Sequence, residues 1–187
     1  MTLIRVGILG LARRDGTFAE VGLRSWEEAG CAAVEQALME SADDLYVVHR
    51  PVVIRSHRAE LERILRDWCD TPNVAHRCDL ILTVGGTGFS PSDVMPEATR
   101  AVLERDAPGI ASVLRHLGGP ESTFSRGASG MRGKVLLINL PGHAKGFANQ
   151  ELLGQAMDAL TPFLPEIVAA LNEDPVPPWT GITLPPH

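Results

Sequence analysis

Aromatic residues are scarce in this chain, at 5% of a sequence that is 44% apolar. Any core must therefore be aliphatic, and 187 residues are enough to bury one as a single domain. Cysteine is scarce as well. Cys31, Cys69 and Cys78 are odd in number and far apart, which argues against a disulfide framework or a zinc site and for reduced thiols buried as small hydrophobes in a cytosol. Nowhere do Lys and Arg cluster, and the net charge is -6. Neither duplex nucleic acid nor an anionic membrane would find the concentrated positive face it needs. No apolar run approaches the roughly 20 residues of a membrane span. The opening MTLIRVGILGLARRDG has no basic segment ahead of its short apolar run and no small-residue cleavage site, so it reads as a first strand and not as a signal peptide. The expectation is a cytoplasmic protein with no nucleic-acid or membrane partner.

What is present is an alternation of strand-like and helix-like segments from end to end, the pattern of an α/β fold on a mostly parallel sheet. Strands are expected at 3–9, at 46–54, at 79–84 and at 134–140. Pro51 interrupts the second of these, which makes it an edge strand or two short pieces. Helices are expected over 23–40, around Leu61, Ile64, Leu65 and Trp68 at one-face spacing, and over 96–105, 108–117, 147–160 and 165–172. The stretch from Gly118 to Gly133 is rich in glycine and reads as loop. No repeat, heptad run or second domain boundary is visible. Residues 1–172 form one domain on this reading, and 173–187, with five prolines, form an extension laid along the surface or a neighbouring subunit.

The strand at 79–84 ends in Gly85-Gly86-Thr87-Gly88. In an open α/β sheet ligands collect beyond the carboxyl ends of the strands, and a glycine loop there presents N–H groups unobstructed by Cβ atoms, able to wrap a phosphate. A tight strand-to-helix turn would use the same residues. Neither a Walker loop nor a GxGxxG fits, because Gly88 is followed by Phe89 and Ser90. With no lysine in the loop, phosphate charge falls to backbone dipoles, a distant cation or a metal. Pro96 favours the first helical position, which puts Met95 at the N-cap and leaves Asp93 just outside the helix. Its carboxylate either reaches into the loop to hold Mg²⁺, which takes one or two carboxylates plus phosphate oxygens, or caps the helix.

The run GGTGFSPSDVMPEAT, followed by SRGASGMRGKVLLINLPGHAKG from Ser125 to Gly146, resembles the molybdenum cofactor synthesis family of MogA/MoaB-type proteins and the G domain of gephyrin. The similarity runs in order from Leu3 to about Leu160. It implies a three-layer α/β/α, Rossmann-like fold, a homotrimer, the transfer of AMP from ATP to the terminal phosphate of molybdopterin with Mg²⁺ present, and a molybdenum-insertion protein as a partner. It also implies that Gly85, Gly86, Thr87 and Gly88 belong to the nucleotide and pterin phosphate loop, that Asp93 is its catalytic carboxylate, here read as metal-holding, and that Asn139, Leu140, Pro141 and Gly142 close the same pocket. Ser92, where the family usually has arginine, is a further candidate binding residue, and His143, directly after that turn, either hydrogen-bonds a phosphate or ring edge or faces water. Arg126 and Arg132 fall where the family commonly has arginines, with Arg126 the weaker of the two, since an isolated loop arginine is more often a surface charge.

Departures from the family pattern bear on catalysis. Ser56, after Arg55, stands where the family places an aspartate on which its catalysis relies. Met95 replaces a threonine before the proline, which should cost on the order of 1 kcal/mol of helix capping unless something compensates. Gly10-Leu11 and Glu20-Val21 stand where the family has a Ser-Asp pair after the first strand and an Asp-Lys pair before the first helix, leaving Asp15 or Glu20 as substitutes or as solvated loop charges. Of the other histidines, His49, His57, His76 and His116 have no metal-ligand spacing. The sequence thus supports a molybdopterin adenylyltransferase with an altered acid set. The alternative is a molybdopterin-binding or carrier paralogue with little activity, and a general nucleotide-binding module is a weaker third.

Overall fold

The structure is a computed structural model and describes residues 3–12, 26–41, 46–49, 51–55, 57–73, 76–140 and 150–173. In chain order its elements are β1 (Ile4–Ala12), α1 (Trp26–Ser41), β2 (Tyr46–Val48), β3 (Val52–Arg55), α2 (Arg58–Asp70), β4 (Leu80–Val84) and α3 (Met95–Val102). There follow β5 (Arg105–Asp106), α4 (Pro108–Leu117), α5 (Gly119–Ser122), β6 (Ser129–Arg132), β7 (Val135–Leu140), α6 (Gln150–Leu160) and α7 (Leu164–Asn172).

The most apolar runs make the middle of the sheet. β1, β4 and β7 lie side by side and parallel, with Ile8 beside Leu82 and Leu82 beside Ile138. Every residue of β4 and β7 is buried, as parallel strands covered on both faces must be. Strand alternation then sorts the side chains. Leu80, Leu82, Val84, Leu136, Ile138 and Leu140 pack with Val34 and Leu38 of α1, Leu153 and Met157 of α6, and Leu164 and Val168 of α7. Leu9, Leu11, Ile81 and Leu137 turn the other way, onto Leu61 and Leu65 of α2 and Met95 and Ala98 of α3. Helices therefore cover both faces, the three-layer α/β/α arrangement that the alternation and the resemblance imply.

The sheet order is β2-β1-β4-β7-β6-β5, with β3 also paired to β1. β2 and β3 share one side of β1: β2 pairs with its start, β3 with its end, and His49 N–H bridges to the Val6 carbonyl at 2.9 Å. The expected interruption by Pro51 is thus an edge strand in two pieces. From β1 the chain moves outward to β2 and β3, then returns across β1 to β4. The order reverses between β1 and β4, which puts the switch point, where open α/β sheets bind their ligands, at the carboxyl ends of these two strands.

Several boundaries differ from expectation. β1 runs on to Ala12, three residues past the expected end, because Leu9 and Leu11 alternate into the α2/α3 layer. α3 begins at Met95 and ends at Val102, where Leu103 turns extended. The glycine-rich stretch from Gly118 to Gly133 is not all loop: it holds α5 and β6, and β6 runs antiparallel to both β7 and β5. The expected helix start at 23–25, the segment 141–149 and the tail 174–187 lie outside the described residues. Cys31, Cys69 and Cys78 are free and buried. Burial, with Asp70 and Asp79 nearby, pushes the thiols of Cys69 and Cys78 up to about 12, so both stay protonated and inert.

Candidate functional site

β4 delivers its chain to the switch point as Thr83-Val84-Gly85-Gly86, and the two glycines take φ of 89° and 66°. The left-handed turn at Gly86 is tightly packed as well as reserved for glycine by its positive φ. A Cβ there would lie 2.2 Å from Leu11 Cδ2, so the end of β1 and the loop of β4 fit together only with glycine in place. The Gly86 carbonyl then accepts the Met95 N–H at 3.1 Å, which ties the loop to the first turn of α3.

That bond revises the reading of this helix start. The N-cap is Val94, not Met95, and it has no side-chain capping bond. A loop carbonyl takes up a free helix N–H in place of a capping hydroxyl, while the Met95 side chain is fully buried against Leu61 and Ile81. Both compensate for the threonine the family carries there. Capping is also removed as the role of Asp93: its Oδ2 accepts the Ser90 N–H at 2.9 Å, so the carboxylate folds back onto the loop. Gly88 makes the space, since a Cβ at that position would meet Asp93 Oδ2 at 2.7 Å. Ser92 completes the turn through a 2.9 Å hydroxyl contact with Ser90.

Asn139 lies beneath the loop, with its side chain in the core. It is the cross-strand neighbour of Thr83, and both point toward α3 on the face where Ile81 and Leu137 are buried. Its Oδ1 accepts the Ala128 N–H at 3.0 Å, and its Nδ2 donates to the hydroxyls of Thr83 at 2.9 Å and Thr99 at 2.8 Å. All three side chains are buried and paired. In this structure Asn139 joins β4, β7, α3 and the segment before β6, and the side chain itself makes no opening onto the pocket.

The larger surprise is Arg126. Its Nε donates to the Gly88 carbonyl at 2.6 Å, its Nη2 to the Asp93 carbonyl at 2.6 Å, and its Nη1 pairs with Glu97. The Arg126 N–H donates to the Thr87 carbonyl at 2.8 Å. Arg132, by contrast, binds Asp70 and the Val102 carbonyl at the amino end of β7, at the opposite end of the strands from the glycine loop. The weighting of the two arginines is reversed. The signal that could have found Arg126 is its pairing with Glu97 of the PEAT block, but proximity between a loop and a distant helix start has no sequence period.

A shallow hollow of about 300 Å³ beside the loop is walled by Phe89, Ser90, Asp93, Val94, Glu97 and Arg126, with Pro91 at its rim. Phe89 and Phe124 meet edge to face at 6.3 Å between ring centres, both largely exposed. A larger cleft, of about 700 Å³, lies between His49 and the last turn of α2, but it brings no glycine loop with it. Gly85, Gly86, Thr87, Gly88, Ser92 and Asp93 are thus assembled at one place. Ser56, Pro141, Gly142 and His143, like Asp15 and Glu20, lie outside the described residues.

Comparison with known proteins gives a consistent picture. A family model described as "Probable molybdopterin binding domain" matches residues 33–166. The molybdopterin adenylyltransferase of Helicobacter pylori strain J99 is 30% identical over 171 residues, covering 90% of this chain and 88% of that protein. The enzyme of the same name from Escherichia coli strain K12 is 30% identical over 162 residues, covering 85% and 76%. Among solved structures, the molybdopterin biosynthesis enzyme MoaB from Thermus thermophilus superposes with a TM-score of 0.72 at 30% identity, covering 92% of this chain and 99% of that one.

Proposed function

The chain belongs to the molybdopterin-binding family of molybdenum cofactor biosynthesis, and from that premise we propose that it is a molybdopterin adenylyltransferase. The observation that carries the reading is the glycine loop at the switch point with the Asp93 carboxylate folded onto it. In the proposed step an oxygen of the molybdopterin terminal phosphate attacks the α-phosphorus of ATP. The bond from that phosphorus to the oxygen bridging to the β-phosphate breaks, and pyrophosphate leaves with the electron pair. Such a transfer calls for positioning and charge stabilisation more than for a protein nucleophile.

Mg²⁺ fits this donor set. Among the described residues no three His, Cys, Asp or Glu side chains gather as a metal cage; Glu97 is paired with Arg126, and the one remaining carboxylate of the hollow, Asp93, suits an ion that takes most of its other ligands from phosphate and water. Asp93 would hold it, and when bound it neutralises charge on the phosphate oxygens. The loop N–H groups orient the phosphates. Gly86 keeps the loop against the end of β1, and Arg126 fixes the carbonyls behind it. The same family reading supports a homotrimer, a cytoplasmic setting and a molybdenum-insertion protein as the recipient of the product. No described helix is long and apolar enough to cross a membrane.

The test is to mix the protein with molybdopterin, ATP and Mg²⁺ and to follow pyrophosphate and adenylylated molybdopterin. Stoichiometric formation of both is expected. Tight pterin binding with neither product formed would favour the carrier reading, which draws its support from Ser56 standing in place of the second acid.

A further inference from the structure

We propose that Arg126 is a positioning residue, whose guanidinium holds the carbonyl side of the glycine loop so that the loop's N–H groups face a phosphate that Arg126 itself does not touch. The ligand class rests on the adenylyl-transfer reading, whereas the geometry does not.

Two successive carbonyls, those of Thr87 and Gly88, point at this one residue, the first at its backbone N–H and the second at its Nε. In a planar trans peptide the C=O and the following N–H point in opposite directions. The N–H groups of Gly88 and Phe89 are therefore turned to the side away from Arg126. Among the described residues neither of these N–H groups donates a hydrogen bond within the protein. Adjacent N–H groups on one side of a turn form a concavity for an anion, and Gly88 adds no side chain of its own to it, the Asp93 carboxylate bordering the space that a Cβ would take.

The charge of Arg126 is already committed. Burial by itself would raise the Glu97 carboxyl, but its hydrogen bond from Arg126, with the charges of Arg126 and Arg100, holds it below the usual carboxylate range. Glu97 thus stays ionised opposite the guanidinium. Phe89 lies under the same group at 5.8 Å from ring centre to Cζ, so the plane is held on a second side. What the loop receives from Arg126 is a rigid fork fixing the Gly88 and Asp93 carbonyls, and a lysine cannot reproduce a fork.

The experiment titrates ¹⁵N-labelled full-length protein with inorganic pyrophosphate, alone, and follows the backbone amides of Gly88 and Phe89. In the wild type both amide signals should move. Arg126→Lys keeps the charge and loses the fork, so affinity should fall about tenfold or more and the Phe89 response should vanish. Glu97→Gln loosens the fork while unmasking its charge, and affinity should fall roughly two- to fivefold. Tighter binding by Glu97→Gln is the mark of direct contact with the anion and would overturn the proposal. So would unaltered affinity in Arg126→Lys, or a wild type in which neither amide responds. Should Arg126→Lys fail to fold, Glu97→Gln decides by the direction of its change. Since AMP transfer is measured separately, responsive amides in a protein without turnover would retain the brace and end the adenylyltransferase reading.

Discussion

At Gly88 a methyl group would meet only the Asp93 carboxylate, and that makes these two residues separable from the fold. A Cβ at Gly88 meets the flexible end of Asp93 and nothing else within 3 Å, whereas one at Gly86 meets Leu11 in a left-handed backbone. Gly88→Ala should therefore fold normally and displace the carboxylate, with turnover falling by about 100-fold, the scale of an ångström's misplacement in an active site. Gly86→Ala should instead lose about 1–2 kcal/mol to its backbone conformation and more to overpacking, visible in a denaturant melt. Asp93→Asn complements the pair. It keeps an acceptor for the Ser90 N–H but loses the charge, so ATP binding in the presence of Mg²⁺ should weaken by roughly ten- to a hundredfold, the worth of a charged contact, while stability holds. Equal binding by the Asn variant would leave Asp93 a loop-shaping residue only. Asp93 was legible in the sequence because its neighbours are distinctive, but its partner was not. Only the folded loop shows the Ser90 N–H bond that excludes capping.

Elements differ in how far they announce themselves. β4 and β7 are short apolar runs, read directly from LILTV and VLLINL. β6, as Ser-Gly-Met-Arg, carries almost no strand preference, since its glycine serves a tertiary need: a Cβ at Gly130 would lie 2.4 Å from the Arg105 carbonyl of β5. Sequence reasoning takes such a glycine for loop, where it marks a close backbone approach. The polar layer of Thr83, Asn139 and Thr99 was likewise only half visible. Strand alternation puts Thr83 and Asn139 on one face, yet nothing in their spacing says that α3 brings Thr99 above them. Asn139→Ala would strand the Ala128 N–H and two hydroxyls inside the core. The expected cost is on the order of 3 kcal/mol from several buried groups left unpaired, checked by chemical denaturation. A change under about 0.5 kcal/mol, the size of an ordinary surface substitution, would mean that water replaces the amide.

For the whole molecule, the alternation of strands and helices and the position of the glycine loop were enough to put the loop of the candidate site beyond the carboxyl end of a central strand, where the structure has it. The reversal of strand order between β1 and β4 was not readable, because it depends on which side of β1 the later strands join. Surface chemistry raises a further question at this scale. Isolated exposed apolar residues are ordinary, but Phe89 and Phe124 are 69% and 67% exposed and pack against each other, in a chain that is only 5% aromatic. A protein with so few rings that leaves two of them together on its surface has apolar area available for assembly. Family resemblance supplies the expected stoichiometry, a homotrimer, in which each chain keeps its own loop and Asp93. Light scattering at micromolar concentration should then give three times the 20.1 kDa of one chain. The monomer mass under those conditions would end the trimer proposal without touching the site, since every contact described for the loop is made within a single chain.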